Sequence, residues 1–300
     1  MAGNTTAAKM DTLTSYTTIN PPVKNESFSP TALKISTITA TASMGCEAIN
    51  ADLLYDTLVI SDKNEGVLYV EYGEKYGSQK YKGFHKKLTI ARRRKPAARR
   101  FDNQVTILVR LETGLEKIEL TNIKVFKNAN VQMTGLKTPE QGYRALEYIM
   151  GIMKTNPVIT DNKEPHITNF QLRLINSDFT LGFEVKRDKL HKTLSRNHPG
   201  TFCMYEPCIY PGVKVQFNYN TWQPTSSIDG ICKCTNPCNG KGNGCSDGGC
   251  KKVTIAIFQS GSVIVTGARS YDQLISAYNY ICKVLAEHVD EIRRPPVPIA

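Results

Sequence analysis

Two clusters of side chains in this sequence could do chemistry, and any fold must position them. The first is sulfur: Cys232, Cys234, Cys238, Cys245 and Cys250 crowd into the Gly- and Asn-rich stretch TWQPTSSIDGICKCTNPCNGKGNGCSDGGCKK. Four thiolates can close a tetrahedral zinc site, and the C-x-C and C-x3-C spacings let two pairs converge after modest loop folding. The spacing fits no standard finger and leaves one cysteine surplus. Structural zinc, a thiol-bearing loop and disulfides therefore all stand as readings of these residues. The second cluster is charge. The run HKKLTIARRRKPAARR carries eight Lys or Arg among sixteen residues, including Arg92, Arg93, Arg94, Lys95, Arg99 and Arg100. Such a run can lie along phosphates, serve as a nuclear localisation signal, or form a solvated loop. Pro96 and the neighbouring alanines argue against a rigid readout element.

The whole chain leans the same way. A formal net charge of +11 and a pI of about 9.1 favour a polyanionic partner, nucleic acid first, because cations that displace counterions from phosphate bind it in a salt-sensitive way. No membrane segment is expected, and the start MAGNTTAAKMDTLTSYTTINPP lacks the basic opening and apolar run of a secretory signal, so an intracellular site is the expectation. No nucleotide-binding glycine loop, G-x-S-x-G or H-E-x-x-H is present, and His85, His166, His191, His198 and His288 are scattered. An enzyme is not expected. Cys46 and Cys282 read as small buried packing residues, whereas Cys203 and Cys208 have no assignable partner.

The elements that must carry these clusters occur twice. IKVFKNANVQMTG at residues 123–135 is echoed by IAIFQSGSVIVTG at residues 255–267, and each is followed by an amphipathic helix that opens on a capping box. The boxes are Thr138 with Gln141 and Ser270 with Gln273. Leu146, Ile149, Met150 and Met153 mark the buried stripe of the first helix, and Leu274, Tyr278, Ile281, Leu285 and Val289 that of the second. Earlier in each copy a β-branched strand (KISTITATASM; HITNFQLRLIN) leads to a short helix (EAINADLLYDTL; FEVKRDKLHKTL) and then to further strands. Both halves thus read strand, helix, antiparallel strands, helix. The fold class is α+β, a pseudo-symmetric pair of helix-backed antiparallel sheets with one broad face left uncovered. The boundaries expected are a flexible tail over 1–30, a first repeat over 31–155 with a basic insertion at about 62–100, a second repeat over 166–292 with a Cys-rich insertion at about 221–251, and a tail from 293.

YEPCIYPG (Tyr205 to Gly212) followed by IFQSGSVIVTGAR (Ile257 to Arg269) resembles the second repeat of the TATA-box-binding protein family, and SMGCEAI with KVFKNANVQMTG resembles its first. The resemblance covers roughly residues 33–154 and 166–292. It implies a saddle-shaped fold that grips the DNA minor groove, with paired phenylalanines wedged between base steps; unstacking a step costs about a few kcal/mol and is offset by contacts to the bent groove. On this chain the resemblance places wedges at Phe126 and Phe258, with Tyr210 and Phe101 in the partner positions. Thr134 and Thr266 fall on family residues that touch bases, where their hydroxyls can donate to the acceptors of A·T pairs. Ile264 suits an apolar groove contact.

The chain also departs from the family. Gln132 is polar where the family has valine, and the family's central asparagines align with Thr37 and Leu174, although Asn176 lies close by. Asn130 and Ser262 stand in place of the turn lysines that contact phosphate. The function implied is a transcription initiation factor that binds and bends A·T-rich promoter DNA and recruits general-factor-like proteins and RNA polymerase. A scaffold or non-specific DNA binder on the same fold is the second reading. The partner is double-stranded DNA, the chain is expected to act as a monomeric pseudo-dimer, and no cofactor is required beyond the candidate structural zinc. The large loops and diverged first repeat resemble a large-DNA-virus or protist version more than a standard cellular factor, which makes a nucleus or a cytoplasmic viral factory the expected site.

Overall fold

A computed structural model describes residues 17–61, 65–73, 80–83, 103–113, 117–222 and 229–295. It resolves into two compact units, one built on Ile38–Arg173 and the other on Tyr16–Thr37 with Leu174–Ala300.

The first unit contains the second half of β2 (Leu33–Ser43), α1 (Ala51–Thr57), β3 (Gly66–Tyr72), β4 (Lys80–Gly83), β5 (Gln104–Thr113), β6 (Lys117–Phe126), β7 (Asn130–Leu136) and α2 (Pro139–Lys154). Its strands pair antiparallel in the order β4-β3-β5-β6-β7-β2. Val105, Ile107, Val109, Ile123, Val125, Val131 and Met133 point inward at period two and are buried, as are Leu146, Ile149, Met150 and Met153 of α2. Along α2, Arg144 donates at 2.7 Å to each carboxylate oxygen of the nearly buried Glu119 on β6.

The second unit contains β1 (Thr18–Ile19), the first half of β2, most of β8 (Thr168–Thr180), α3 (Arg187–Asn197), β9 (Phe202–Met204), β10 (Val213–Tyr219), β11 (Lys251–Ile257), β12 (Ser262–Ala268), α4 (Tyr271–Glu287) and α5 (Val289–Ile292). The sheet order β8-β12-β11-β10-β9 is again antiparallel. Val215, Phe217, Val253, Ile255, Val263 and Val265 are buried, as are Leu274, Tyr278, Ile281 and Leu285 of α4. Val289 is buried too, but in α5.

Both capping boxes form, with one variation. Thr138 and Ser270 accept from the backbone N–H groups of Gln141 and Gln273 at 3.3 Å. The glutamine side chains reach one residue further back than the usual reciprocal bond, accepting at 2.8 Å from Lys137 and Arg269 ahead of the caps.

Three expected boundaries shift. Residues 18–30 do not belong to a flexible tail, because β1 pairs with Leu33 and Lys34 and Phe28 is fully buried, edge-on to Phe183. Residues 66–72 are a core strand with Val67, Tyr69 and Val70 buried, so the first insertion begins after β3. At the C-terminus Arg293 bridges Val185 and lies 4.7 Å from the Phe183 ring, which holds the first residues of the supposed tail in place.

The two hairpins that carry the repeated motif share a turn. Ala129 and Gly261 occupy the same position, at φ 59° and 81°, and each donates its N–H to the carbonyl of the preceding phenylalanine, Phe126 or Phe258. An L-residue there is strained by about 1–2 kcal/mol. Replacing Ala129 with Gly relieves that strain but deletes a fully buried methyl and frees the unfolded chain, so the urea stability of the first unit should change by less than about 1 kcal/mol. Gly261→Ala should lower that of the second by more than about 1–2 kcal/mol, since its Cβ would lie 2.1 Å from the Phe183 carbonyl oxygen.

Candidate nucleic-acid interface

Among the described residues, alternation along each strand leaves one sheet face in each unit free of helix. In the second unit this face is made of cross-strand rows. Lys214, Ala256, Ile264 and Asp178 stand opposite one another across β10, β11, β12 and β8, and Gln216, Thr254, Thr266 and Asn176 form the adjacent row. Ile264 is exposed and Thr266 half-buried. The face is mostly small, polar and uncharged, with Lys214 and Lys252 toward one side and Asp178 as an acid held by the Ser36 hydroxyl.

Thr266, Asn176 and Thr37 are joined in a chain of hydrogen bonds. The Thr266 hydroxyl donates to Oδ1 of Asn176, whose Nδ2 donates to Thr37 Oγ1 at 3.2 Å. The threonine is aimed by a bulge: register shifts between Thr266 and Ala268, where Gly267 has φ 99°, and the first unit shifts between Ile38 and Ala40, opposite Gly135 at φ 83°. The T-G of both repeats thus encodes a bulge of the glycine type that turns the threonine onto the open face. The register sets Asn176 opposite Thr266, with Leu174 two residues further along β8.

At the end of β11, Phe258 is half-buried, and its ring centroid lies 5.8 Å from that of Tyr210. Lys214 Nζ sits 4.4 Å from the Tyr210 centroid, a cation–π contact that holds the phenol in place. Arg187, at the start of α3, braces the same corner by donating to the Pro211 carbonyl at 2.5 Å and to Gln259 Oε1 at 2.9 Å. Sequence reasoning missed Lys214 and Arg187, although the outward position of Lys214 was readable from the alternation VKVQFNY.

In the first unit Phe126 stands opposite Gln104 at the end of β6, and Gln132 lies between Lys124 and Thr41. Thr134 is half-buried opposite Asn122. Phe126, Gln132 and Thr41 line a hollow of about 560 Å3 with Asn169, Gln171 and Arg173, the alternate residues of the first half of β8. Arg173 Nε donates to Thr41 at 2.8 Å. None of those three β8 residues was singled out from sequence, yet their alternation in TNFQLRL was the available signal. Phe101, Arg92, Arg93, Arg94, Lys95, Arg99 and Arg100 lie outside the described residues.

The cysteines divide. Cys232, Cys234, Cys238 and Cys250 come together, whereas Cys245 is exposed with its sulfur near the Asn243 carbonyl; of the five candidates, Cys245 is the one that stands apart. Cys282 is buried, and burial pushes its thiol up to about 12, but Cys46 is only half-buried, contrary to expectation. His198 and His288, scattered in sequence, share a 3.2 Å contact between Nε2 atoms, and burial followed by the charge of His288 lowers the His198 pKa.

The architecture that positions these residues is an α+β duplication, in which each unit backs an antiparallel sheet with helices and leaves the other face of its described strands open. The family model described as transcription factor TFIID (or TATA-binding protein, TBP) matches residues 169–288. A TATA-box-binding protein-like protein of Acanthamoeba polyphaga mimivirus is 32% identical over 276 residues, which cover 88% of this chain and 68% of that protein. The Methanococcus jannaschii TBP structure aligns with a TM-score of 0.46 and 17% identity, over 85% of this chain and 98% of that one. The chain belongs to the TATA-box-binding protein family, whose members are DNA-binding transcription factors rather than enzymes.

Proposed function

We propose that the open sheet faces bind the minor groove of A·T-rich promoter DNA and bend it, and that the bound complex recruits the RNA polymerase initiation machinery. The observation that carries this reading is the Phe258–Tyr210 ring pair at the end of a largely uncharged face. Two rings side by side can enter a base step as one wedge, and the small side chains behind them let the groove floor approach the sheet. Asn176 Nδ2, which keeps a second N–H beyond the one it gives Thr37, then faces adenine N3 and thymine O2, the acceptors a minor-groove reader of A·T pairs meets, while the Thr266 hydroxyl holds the amide in that orientation. The Tyr205–Gly212 turn supports the recruitment step, because Ile209 is 85% exposed there and offers an apolar contact to a protein partner.

Fluorescence energy transfer across end-labelled A·T-rich and G·C-rich duplexes, titrated at several salt concentrations, tests the reading. A bent complex that prefers the A·T-rich duplex is expected; salt-sensitive binding without bending or preference would replace it with a scaffold or packaging role. Neutralising Arg92, Arg93 and Arg94 together should reduce the slope of log affinity against log salt by about 0.9 for each phosphate left without its cation, with the bend angle unchanged.

A further inference from the structure

The described part of the insertion between β10 and β11, residues 229–250, is folded without a hydrophobic core of its own, although its glycines pack on Phe217 and Tyr219 of β10. Over residues 229–250 the buried positions are Gly230, Gly240, Gly244 and Cys250, and no large apolar side chain is among them. The segment nevertheless makes specific contacts. Thr221 N–H donates to the Gly244 carbonyl at 2.7 Å, Gln273 Nε2 donates to the Asn243 carbonyl at 2.9 Å, and Lys241 forms an antiparallel bridge with Lys251. A loop of this size cannot offset its ordering entropy from such contacts alone and needs a staple.

From the sulfur geometry we infer that this staple is a zinc ion bound by Cys232, Cys234, Cys238 and Cys250. Their ligand atoms all lie within 4.8 Å of one another, with Cys234–Cys250 at 3.4 Å and Cys232–Cys250 at 3.7 Å. A tetrahedral ion with Zn–S bonds of about 2.3 Å holds its sulfurs about 3.8 Å apart. A disulfide needs about 2.05 Å and joins sulfurs only in pairs, so four mutually close sulfurs match one metal centre better than two bridges.

A hydrogen-bond donor reaches two of the sulfurs. Asn220 Nδ2 donates to Cys250 Sγ at 3.4 Å and reaches Cys234 Sγ at 3.6 Å. Such N–H···S bonds orient ligands and spread their negative charge. Four thiolates around a divalent ion leave two negative charges. Lys241 and Lys251 come together at the edge of the cluster, and Lys252 packs against Gly240. All-sulfur tetrahedral coordination selects zinc over the oxygen-seeking divalent ions.

The test is the metal content of the full-length chain, purified under reducing conditions from zinc-supplemented medium. About one zinc per chain is expected, released in step with the titration of four thiols by a mercurial. Cys234→Ser and Cys250→Ser should each lower the stoichiometry at least about fivefold at equal protein, whereas Cys245→Ser should keep it, since Cys245 stands outside the cluster. Chelation should expose residues 229–250 to protease while leaving both helix-backed sheets intact. Wild-type protein without bound metal, whose four thiols react as readily as Cys245, would overturn the assignment. So would equal zinc in Cys234→Ser and wild type. None of these readouts depends on DNA.

Discussion

Phe258→Ala is expected to weaken binding to an A·T-rich duplex by about 1–3 kcal/mol, the usual worth of an aromatic ring stacked on a base, which is roughly a 5- to 150-fold rise in Kd. The bend should fall with it. A ring wedged into a base step does two things at once: it replaces part of the lost stacking and it props the step open, so its removal restores a straighter duplex and shrinks the interface. A residue that merely packed the end of the sheet would lower stability without changing the geometry of bound DNA. Phe258 is half-buried and touches Tyr210 rather than α4, so the alanine variant should keep most of its urea stability. Tyr210→Ala should show the same pair of effects at smaller size, because a phenol entering a base step must desolvate its hydroxyl. Unchanged bend and affinity in Phe258→Ala would remove the wedge mechanism.

Much of this was legible in the sequence because the duplication repeats local chemistry as well as pattern. Thr138 with Gln141 and Ser270 with Gln273 start their helices in the same way, and the T-G pairs at 134–135 and 266–267 produce matching bulges. The period-two pattern of VKVQFNY carried the signal that divides buried Val215 and Phe217 from outward Lys214 and Gln216, although only the strand itself was read from it. What stayed hidden depends on register across strands far apart in sequence. The bond from Asn176 to Thr37 spans 139 residues, and motif alignment gave Leu174 the place next to it because nothing local shows which β8 residue faces Thr266. The same limit explains Cys245: spacing alone cannot tell which of five thiols a glycine-rich loop turns outward. Phe28 was hidden for another reason, since a polar, Pro-containing segment can still bury one aromatic side chain once β1 pairs with β2.

Phe217→Ala should cost the second unit about 3–5 kcal/mol, a large share of the roughly 5–15 kcal/mol available to a domain. Phe217 is fully buried on β10, with its ring centroid 5.3 Å from that of Tyr280 on α4. The Cys-rich insertion closes over it from the other side, where a Cβ on Gly230 would lie 2.5 Å from the ring. The cavity left by alanine is therefore bounded by strand, helix and a backbone segment held by its own cysteine cluster, and none of these can easily collapse into it. Phe217→Leu, which keeps most of the volume, should cost less than about 1.5 kcal/mol. Urea denaturation of the two variants measures the difference, and a loss below about 1 kcal/mol for alanine would mean the ring does not fill the space between sheet, helix and insertion. Because Phe217 points away from the open face, its loss should lower the population of folded protein without changing the bend angle of the complexes that form. That outcome separates it from Phe258, where the bend itself should change.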